Sequence, residues 1–372
     1  MYYKDDWAKA REYLNQFWAG EDIGRPLAAV FAPRAKGCYV FPELHNGPWT
    51  GSNEKSKTQE EIDKWWMDPE ENYKRMLFWF ENTYFGGECV PATYVNWGAS
   101  AAAAFFGSNP TFKKTSVWYE KCIHDWDEWK WEFDEKTNIW WNRILEITKY
   151  LTERSDGRYF VGMPEFGNAC DNLSLMRGMD DLAMDCYEEP EALEEAIRFM
   201  DDWWVKLHEQ LYQLTVSTND NGCVLPWMSL WAPGRIDQLA NDFSNILSPQ
   251  MFKDICLLDI ETMGAWTEYG MYHLDGQKCI RNHLDTLLGI DCIKAIEFTP
   301  GAGSPPTLTE EYIPKYRKIL ESGKRLYLLA EPDEVKPLCE LLPSKGLFLC
   351  TWANSREEAD DMLKNMYDWS KK

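Results

Sequence analysis

Runs of apolar residues without polar alternation recur along most of this chain, at 27–31, 90–95, 159–163, 223–230, 271–274, 293–298, 326–329 and 347–350. A strand with one wet face alternates apolar and polar side chains. Runs that do not alternate mark strands covered on both faces, as in a parallel sheet. Between the runs the apolar spacing changes to steps of three and four. After Leu193, the positions Ile197, Met200, Trp204, Leu207, Leu211 and Leu214 share one helical face. Pro190 opens that helix, and Glu191, Glu194 and Glu195 follow it in the early turns, where the helix dipole favours acids. Ser248 and Pro249 supply an N-cap and a first helical residue for another. Further helical patterns cover 69–82, 310–320, 334–341 and 356–366. Eight strand–helix units joined by right-handed crossovers predict an α/β protein, a closed (β/α)8 TIM barrel forming one domain over 1–372. An open doubly wound sheet is the alternative. Its glycine-rich dinucleotide turn is missing after the first run, where the chain reads FAPRAKG at 31–37.

Two stretches exceed a minimal barrel. Residues 37–63 are rich in Gly, Pro, Asn and Thr, and residues 107–138 carry Trp118, Trp126, Trp129 and Trp131 amid charges. Loops of this length in a compact domain usually have a task, and a lid over the C-terminal mouth of the barrel is the expected one.

Composition narrows the partners. A formal charge of −22 and a sequence pI near 4.7 repel phosphate backbones, so nucleic acid is excluded as a partner. No apolar stretch reaches the roughly 18 residues of a membrane span, and the first twelve residues lack the apolar centre of a signal peptide. The 11 cysteines include no C-x-x-C pair, which suits reduced thiols in the cytoplasm. Most of the 20 tryptophans belong in the core. Trp97, Trp227, Trp231 and Trp352 stand near the ends of apolar runs and are candidates for walling a flat or ring-shaped substrate.

The candidate chemistry centres on YHLDG at 272–276. Alternation on a strand places His273 and Asp275 on one face, where an imidazole and a carboxylate can hold a metal or run acid–base chemistry. Glu297 falls inside the run AIEFT at 295–299, where a carboxylate must have a partner or face the site. Glu165, in GMPEFG at 162–167, is a further candidate acid or base at a strand end. Asn241 and Asp242 follow the WAPGR loop at 231–235 and are placed to reach the mouth, with Asp242 as a substrate contact. Glu331, just before Pro332, also suits a plain helix start.

Several motifs together resemble a branch of the uroporphyrinogen decarboxylase superfamily. They are FWAGE at 17–21, RP at 25–26, SPQMF at 248–252, YHLDG at 272–276, PGAG at 300–303 and GLFL at 346–349, in that order over nearly the whole length. The resemblance implies a TIM barrel with its site at the C-terminal mouth. It also implies one of two activities: decarboxylation, or zinc-dependent methyl transfer involving a corrinoid carried by a partner protein. In the methyltransferases a His-x-Cys on this strand and a Cys near the last strand hold the zinc. Here His273 matches the histidine, Asp275 stands at the first thiolate position and Cys350 lies near the last strand's end, giving His273, Asp275 and Cys350 as the implied metal set. True decarboxylases carry paired arginines near the N-terminus. Here that stretch offers Arg34 and Lys36 without the pairing, so Arg34 is the residue available to a substrate's acidic group.

Two enzymatic readings and one non-enzymatic reading follow. The first is an enzyme acting on a small organic substrate by corrinoid-linked, metal-assisted methyl transfer through His273, Asp275 and Glu297. The second is metal-free carboxylate chemistry, decarboxylation or glycoside cleavage, using Glu165, Asp275 or Glu297. The third is a ligand-binding barrel without catalysis.

Overall fold

The computed structural model describes residues 1–35, 58–301 and 303–371. Its strands in chain order are β1 Leu27–Pro33, β2 Thr83–Gly87, β3 Ala92–Thr93, β4 Pro110–Phe112, β5 Val117–Tyr119 and β6 Phe160–Val161. They continue with β7 Cys223–Leu225, β8 Leu230–Ala232, β9 Gln238–Ala240, β10 Gly270–Asp275, β11 Ile293–Thr299, β12 Arg325–Leu329 and β13 Leu347–Trp352. Seven of them form one mostly parallel sheet in the order β2-β1-β13-β12-β11-β10-β9, with β2 antiparallel to β1 at one edge. β3 and β6 form a separate parallel pair, and β4–β5 and β7–β8 are antiparallel hairpins. The chain is thus α/β with a central parallel sheet, but the backbone ladder among the described residues is not one closed ring of eight.

The departures from the expected strands have local causes. The run 223–230 does not continue straight. It turns at Pro226–Ser229, where Ser229 takes a positive φ of 51° and its N–H bonds the carbonyl of Pro226, so β8 folds back on β7. Only the centres of 90–95 and 159–163 pair, as β3 and β6. β9 carries a glutamine and is three residues long, too short for a periodic signal. β2 follows directly from the helix Pro69–Asn82, so no turn residue announces it.

Helices cover the apolar faces as their patterns require. Pro190–Thr215 buries Leu193, Ile197, Met200, Trp204, Leu207, His208 and Leu211 on one side. Ser248 caps Pro249–Met251, which runs through a wider turn at Phe252–Cys256 into Leu257–Trp266. Side-chain caps also fix the starts of Gln59–Met67, Pro69–Asn82, Ile139–Glu153 and Arg356–Trp369. At the start of β1, buried Arg25 grips Glu88 with two hydrogen bonds of 2.9 and 2.7 Å, and Glu88 also accepts the Ala28 N–H. That pair ties β1 to the residue after β2. Among the described residues no helix is long and apolar enough to cross a membrane.

The expected lid at 37–63 lies outside the described residues except for its end, where Gln59–Met67 begins. The other segment, 107–138, does fold onto the body. Its β4–β5 hairpin sets Phe112 against Trp97, with Tyr119 donating to the Trp97 carbonyl at 2.9 Å. Farther along, Trp131 and Phe133 pack on Phe199 and Trp203 of Pro190–Thr215. Residues of this segment line an open pocket of about 460 Å³ with Glu132, Asp134 and Trp140, but none lines the larger 640 Å³ groove beside Tyr187 and Met251.

Candidate functional site

β10 and β11 run parallel with His273 directly beside Glu297 in register, so both side chains leave the same face of the sheet. Glu297 is buried and its Oε2 meets the Nδ1 of His273 in a short ion-paired hydrogen bond. The other carboxylate oxygen accepts from the Thr299 hydroxyl at 2.7 Å. This partner fixes the ring and puts a proton on Nδ1, leaving Nε2 free of the pair. Trp227 stands edge-on to the imidazole, ring centres 5.5 Å apart. Burial pulls the His273 pKa down, but the charge and hydrogen bond of Glu297 outweigh it, helped by Asp242 and Asp275, and raise it to about 10. His273 is therefore an imidazolium at neutral pH.

Three further carboxylates surround it. Burial raises Glu165 to about 7, with Asp242 and Asp237 adding and His273 opposing. That value leaves Glu165 divided between acid and carboxylate near neutrality. Burial and then Asp242 push Asp275 upward as well. Asp242 itself is exposed, after β9. The backbone beside it is anchored by Asp171, which accepts the Phe243 N–H at 2.8 Å. β10 ends at Asp275, and Gly276 follows it, with a φ of 85° that suits glycine and an N–H that bonds the Thr299 carbonyl at 2.9 Å, closing the turn. The phenols of Tyr94 and Tyr119, both raised first by burial, also feel the charge of Glu165.

His273, Asp275, Glu297, Glu165, Asp242 and Trp227 thus come together. The other expected site residues stand elsewhere. Trp97 is buried under the β4–β5 hairpin and its indole N–H donates to the Trp66 carbonyl at 3.3 Å. Trp231 is buried against Trp7 of the N-terminal helix Trp7–Ala19, its indole N–H given to the Asn219 carbonyl at 2.9 Å. Both are packing residues, because their only polar atom is already spent inside the fold. Arg34 turns to the N-terminal segment, donating to the carbonyls of Thr83 and Tyr3, and so is not directed at the carboxylate cluster. Trp352 ends β13, three strands from β10 in the sheet order. Glu331 precedes a helix start, where Glu334 accepts its N–H at 2.9 Å.

The implied metal set does not assemble either. Cys350 is buried on β13 and hydrogen-bonded with Tyr327, whose hydroxyl reaches the Met228 carbonyl at 2.7 Å. Among the described residues no three His, Cys, Asp or Glu side chains converge on a point that could hold a metal ion. His273 spends one nitrogen on Glu297, and Asp275 alone beside it does not complete a donor set.

Sequence reasoning missed His208 and Asp237, a second imidazole–carboxylate pair at 2.7 Å behind Glu165. His208 falls on the apolar face of its helix, one turn after Trp204, and that placement was the available signal. No protein-family model matches the chain, and no curated protein matches it in sequence.

Proposed function

We propose that this protein is an enzyme performing acid–base chemistry on a small, uncharged or cationic organic substrate, without a metal. The observation that carries this reading is His273 held by Glu297 beside a Glu165 poised near neutrality. The two acid–base groups have their proton affinities pushed apart by their surroundings, so one donates while the other exchanges a proton at the same pH. His273 presents Nε2–H as the donor. Glu165 serves as acid in its protonated form and as base in the other. Trp227 offers an apolar wall beside the imidazole. Asp242, Asp275 and Glu297 make the surroundings acidic, which favours a polyol, glycoside or amine over a polycarboxylate. Proton-assisted cleavage or elimination is the class of step this set supports.

The same proposal includes the barrel. Where the backbone ladder is interrupted, side chains bridge the gaps. Ser229 accepts from the Val90 N–H and donates to its carbonyl, at 2.7 and 2.9 Å. Asn219 does the same for Val161 at 3.0 and 2.7 Å, and Asn168 accepts the Ala240 N–H at 2.9 Å. These bridges favour a closed (β/α)8 arrangement of the kind found in the uroporphyrinogen decarboxylase superfamily, with the cluster at its C-terminal mouth.

A panel of small sugars, glycosides, amines and hydroxy acids incubated in D2O and read by mass spectrometry tests the chemistry. Wild type should transform or deuterate at least one compound, and Glu165→Gln and His273→Gln should each slow that reaction by ~10²-fold or more. Unchanged rates in both variants would defeat the proposal.

Corrinoid-linked methyl transfer is the second reading. One observation favours it: a carboxylate on Nδ1 is also how metal-binding imidazoles are oriented. It needs a third donor that the described residues do not bring to His273. One equivalent of zinc in the purified protein, lost in His273→Gln, would favour this reading over the first.

A further inference from the structure

The turn between β7 and β8, residues 226–229, is held from several sides. Ser229 takes a left-handed φ of 51°, which non-glycine residues seldom adopt, and its N–H closes on the Pro226 carbonyl at 3.0 Å. Its hydroxyl accepts the Val90 N–H at 2.7 Å and donates to the Val90 carbonyl at 2.9 Å. The Cys89 thiol, 3.2 Å from the same oxygen, is therefore the donor in that contact. Gly162 lies flush against Pro226, where a Cβ would meet the proline ring at 2.3 Å. From β12, the buried Tyr327 hydroxyl donates to the Met228 carbonyl at 2.7 Å, while the Tyr327 ring stacks on Phe348 with centres 5.0 Å apart.

Burying hydroxyls is unfavourable unless each finds a partner, and the Ser229 and Tyr327 hydroxyls both do. What they fix is Trp227, at the tip of the turn. This residue is half-buried, stands edge-on to His273 with ring centres 5.5 Å apart, and lines a narrow cavity of about 20 Å³ together with Glu165. Trp97 and Trp231 give their indole N–H groups to carbonyls inside the fold. Among the described residues no group accepts the N–H of Trp227, and that nitrogen is open, unlike the buried unmatched indoles of Trp126 and Trp129. A spare donor thus stands beside both acid–base groups.

His273 supplies a second donor, Nε2, on the side of the ring away from Glu297. Near these donors stand the carboxyl groups of Glu165, Asp242 and Asp275, which accept when ionised. A hydroxyl both donates and accepts, so a polyol matches both kinds of group, whereas an ammonium has no lone pair for either donor. We propose that Trp227 is the specificity-determining residue for a neutral polyhydroxylated substrate, giving its N–H to a substrate oxygen, and that Tyr327 is the positioning residue that holds it there through the Met228 carbonyl. This deepens the acid–base reading of His273 and Glu165 and rests on it. Tyr327 touches no substrate. Without its hydroxyl, the Met228 carbonyl loses its partner and the tip of the turn is free to carry Trp227 out of place.

The test follows two NMR signals, the indole N–H of Trp227 and the ring Cε1 of His273, assigned through Trp227→Phe and His273→Gln. The protein is titrated with glycerol, myo-inositol, methyl β-D-glucoside and, separately, choline. At least one polyol should shift the Trp227 signal in wild type, and choline should not. Tyr327→Phe should displace both signals before any ligand is added, because moving the indole changes its ring current at His273. The same variant should weaken polyol binding about 10-fold, as expected for one lost hydrogen bond. A role in stability alone would lower the melting temperature and leave both signals in place. Signals unmoved in Tyr327→Phe, or a Trp227 signal that answers no polyol, overturn the proposal.

Should Tyr327→Phe fail to fold, wild-type crystals soaked with the polyol that shifts the indole decide. An oxygen of that ligand within hydrogen-bond distance of Trp227 Nε1 is expected, and a ligand seated away from Trp227 overturns the proposal. Failure of the acid–base reading is distinguishable, because it appears as unchanged turnover in Glu165→Gln and His273→Gln, whereas the indole and imidazole signals are read without turnover.

Discussion

Replacing Glu297 by glutamine isolates the charge that holds His273. The substitution keeps the size of the side chain and leaves an oxygen for the Thr299 hydroxyl, so packing changes little while the carboxylate is lost. In the native protein, burial opposes the imidazolium, and Glu297 more than offsets that to lift the pKa from 6.5 to about 10. At roughly 1.4 kcal/mol per pH unit, that rise is worth about 5 kcal/mol in favour of the charged ring. Without the carboxylate, burial dominates, with partial compensation from Asp242 and Asp275, and the midpoint should drop by at least about 3.5 pH units, from about 10 to 6.5 or below. The assay is carbon–proton NMR of the ring Cε1 signals of the 5 histidines, with His273 assigned through His273→Gln. Native His273 should remain an imidazolium through pH 8, and in Glu297→Gln it should titrate at or below about 6.5.

Stability should follow the same linkage. Because the folded pKa of His273 is raised, its contribution is complete below 6.5 and disappears as pH climbs through 10. The stability gap between native protein and Glu297→Gln should thus be widest at pH 5–6.5 and close towards pH 10. A variant midpoint still above 9, or a gap that widens with pH, would refute the reasoning.

Two other outcomes follow from buried charges. Burial raises Glu165 and Asp171 to about 7 and Asp259 to about 6, so the folded state binds more protons than the unfolded chain from about pH 4 to 7. Urea denaturation should accordingly find the protein less stable at pH 8 than at pH 5, and equal midpoints would contradict the burial of these groups. Glu88→Gln should cost about 3–5 kcal/mol, because it leaves Arg25 buried without its counter-charge, while Arg25→Met with Glu88→Leu should recover most of that loss. A Glu88→Gln protein as stable as the native one would show that the pair does not tie β1 to β2.

Much of the architecture was legible in the order of residues. Unalternating runs marked β1, β10, β11, β12 and β13 closely, since a strand buried on both faces must be apolar throughout, whatever its neighbours. The helix Pro190–Thr215 was legible from Pro190 onward, because helical periodicity and first-turn acids are local properties. The pairing of His273 with Asp275 on one strand face was local too. The partner that matters most to His273 was not. Glu297 was legible as a carboxylate out of place in an apolar run, but its contact with Nδ1 depends on the register of two parallel strands 24 residues apart.

Tertiary structure alone decided the rest. The indoles of Trp97 and Trp231 resembled site walls in the sequence and turned out to be core, because the fold brought backbone carbonyls to their N–H groups. Cys350 went to Tyr327 and not to His273, since strand order, not chain order, sets which side chains share a face. His208 and Asp237 are 29 residues apart and meet only where the long helix crosses the start of β9. Periodicity placed each residue on its element. Which elements touch is settled by how all the apolar faces bury at once, a property of the whole chain and not of any window within it.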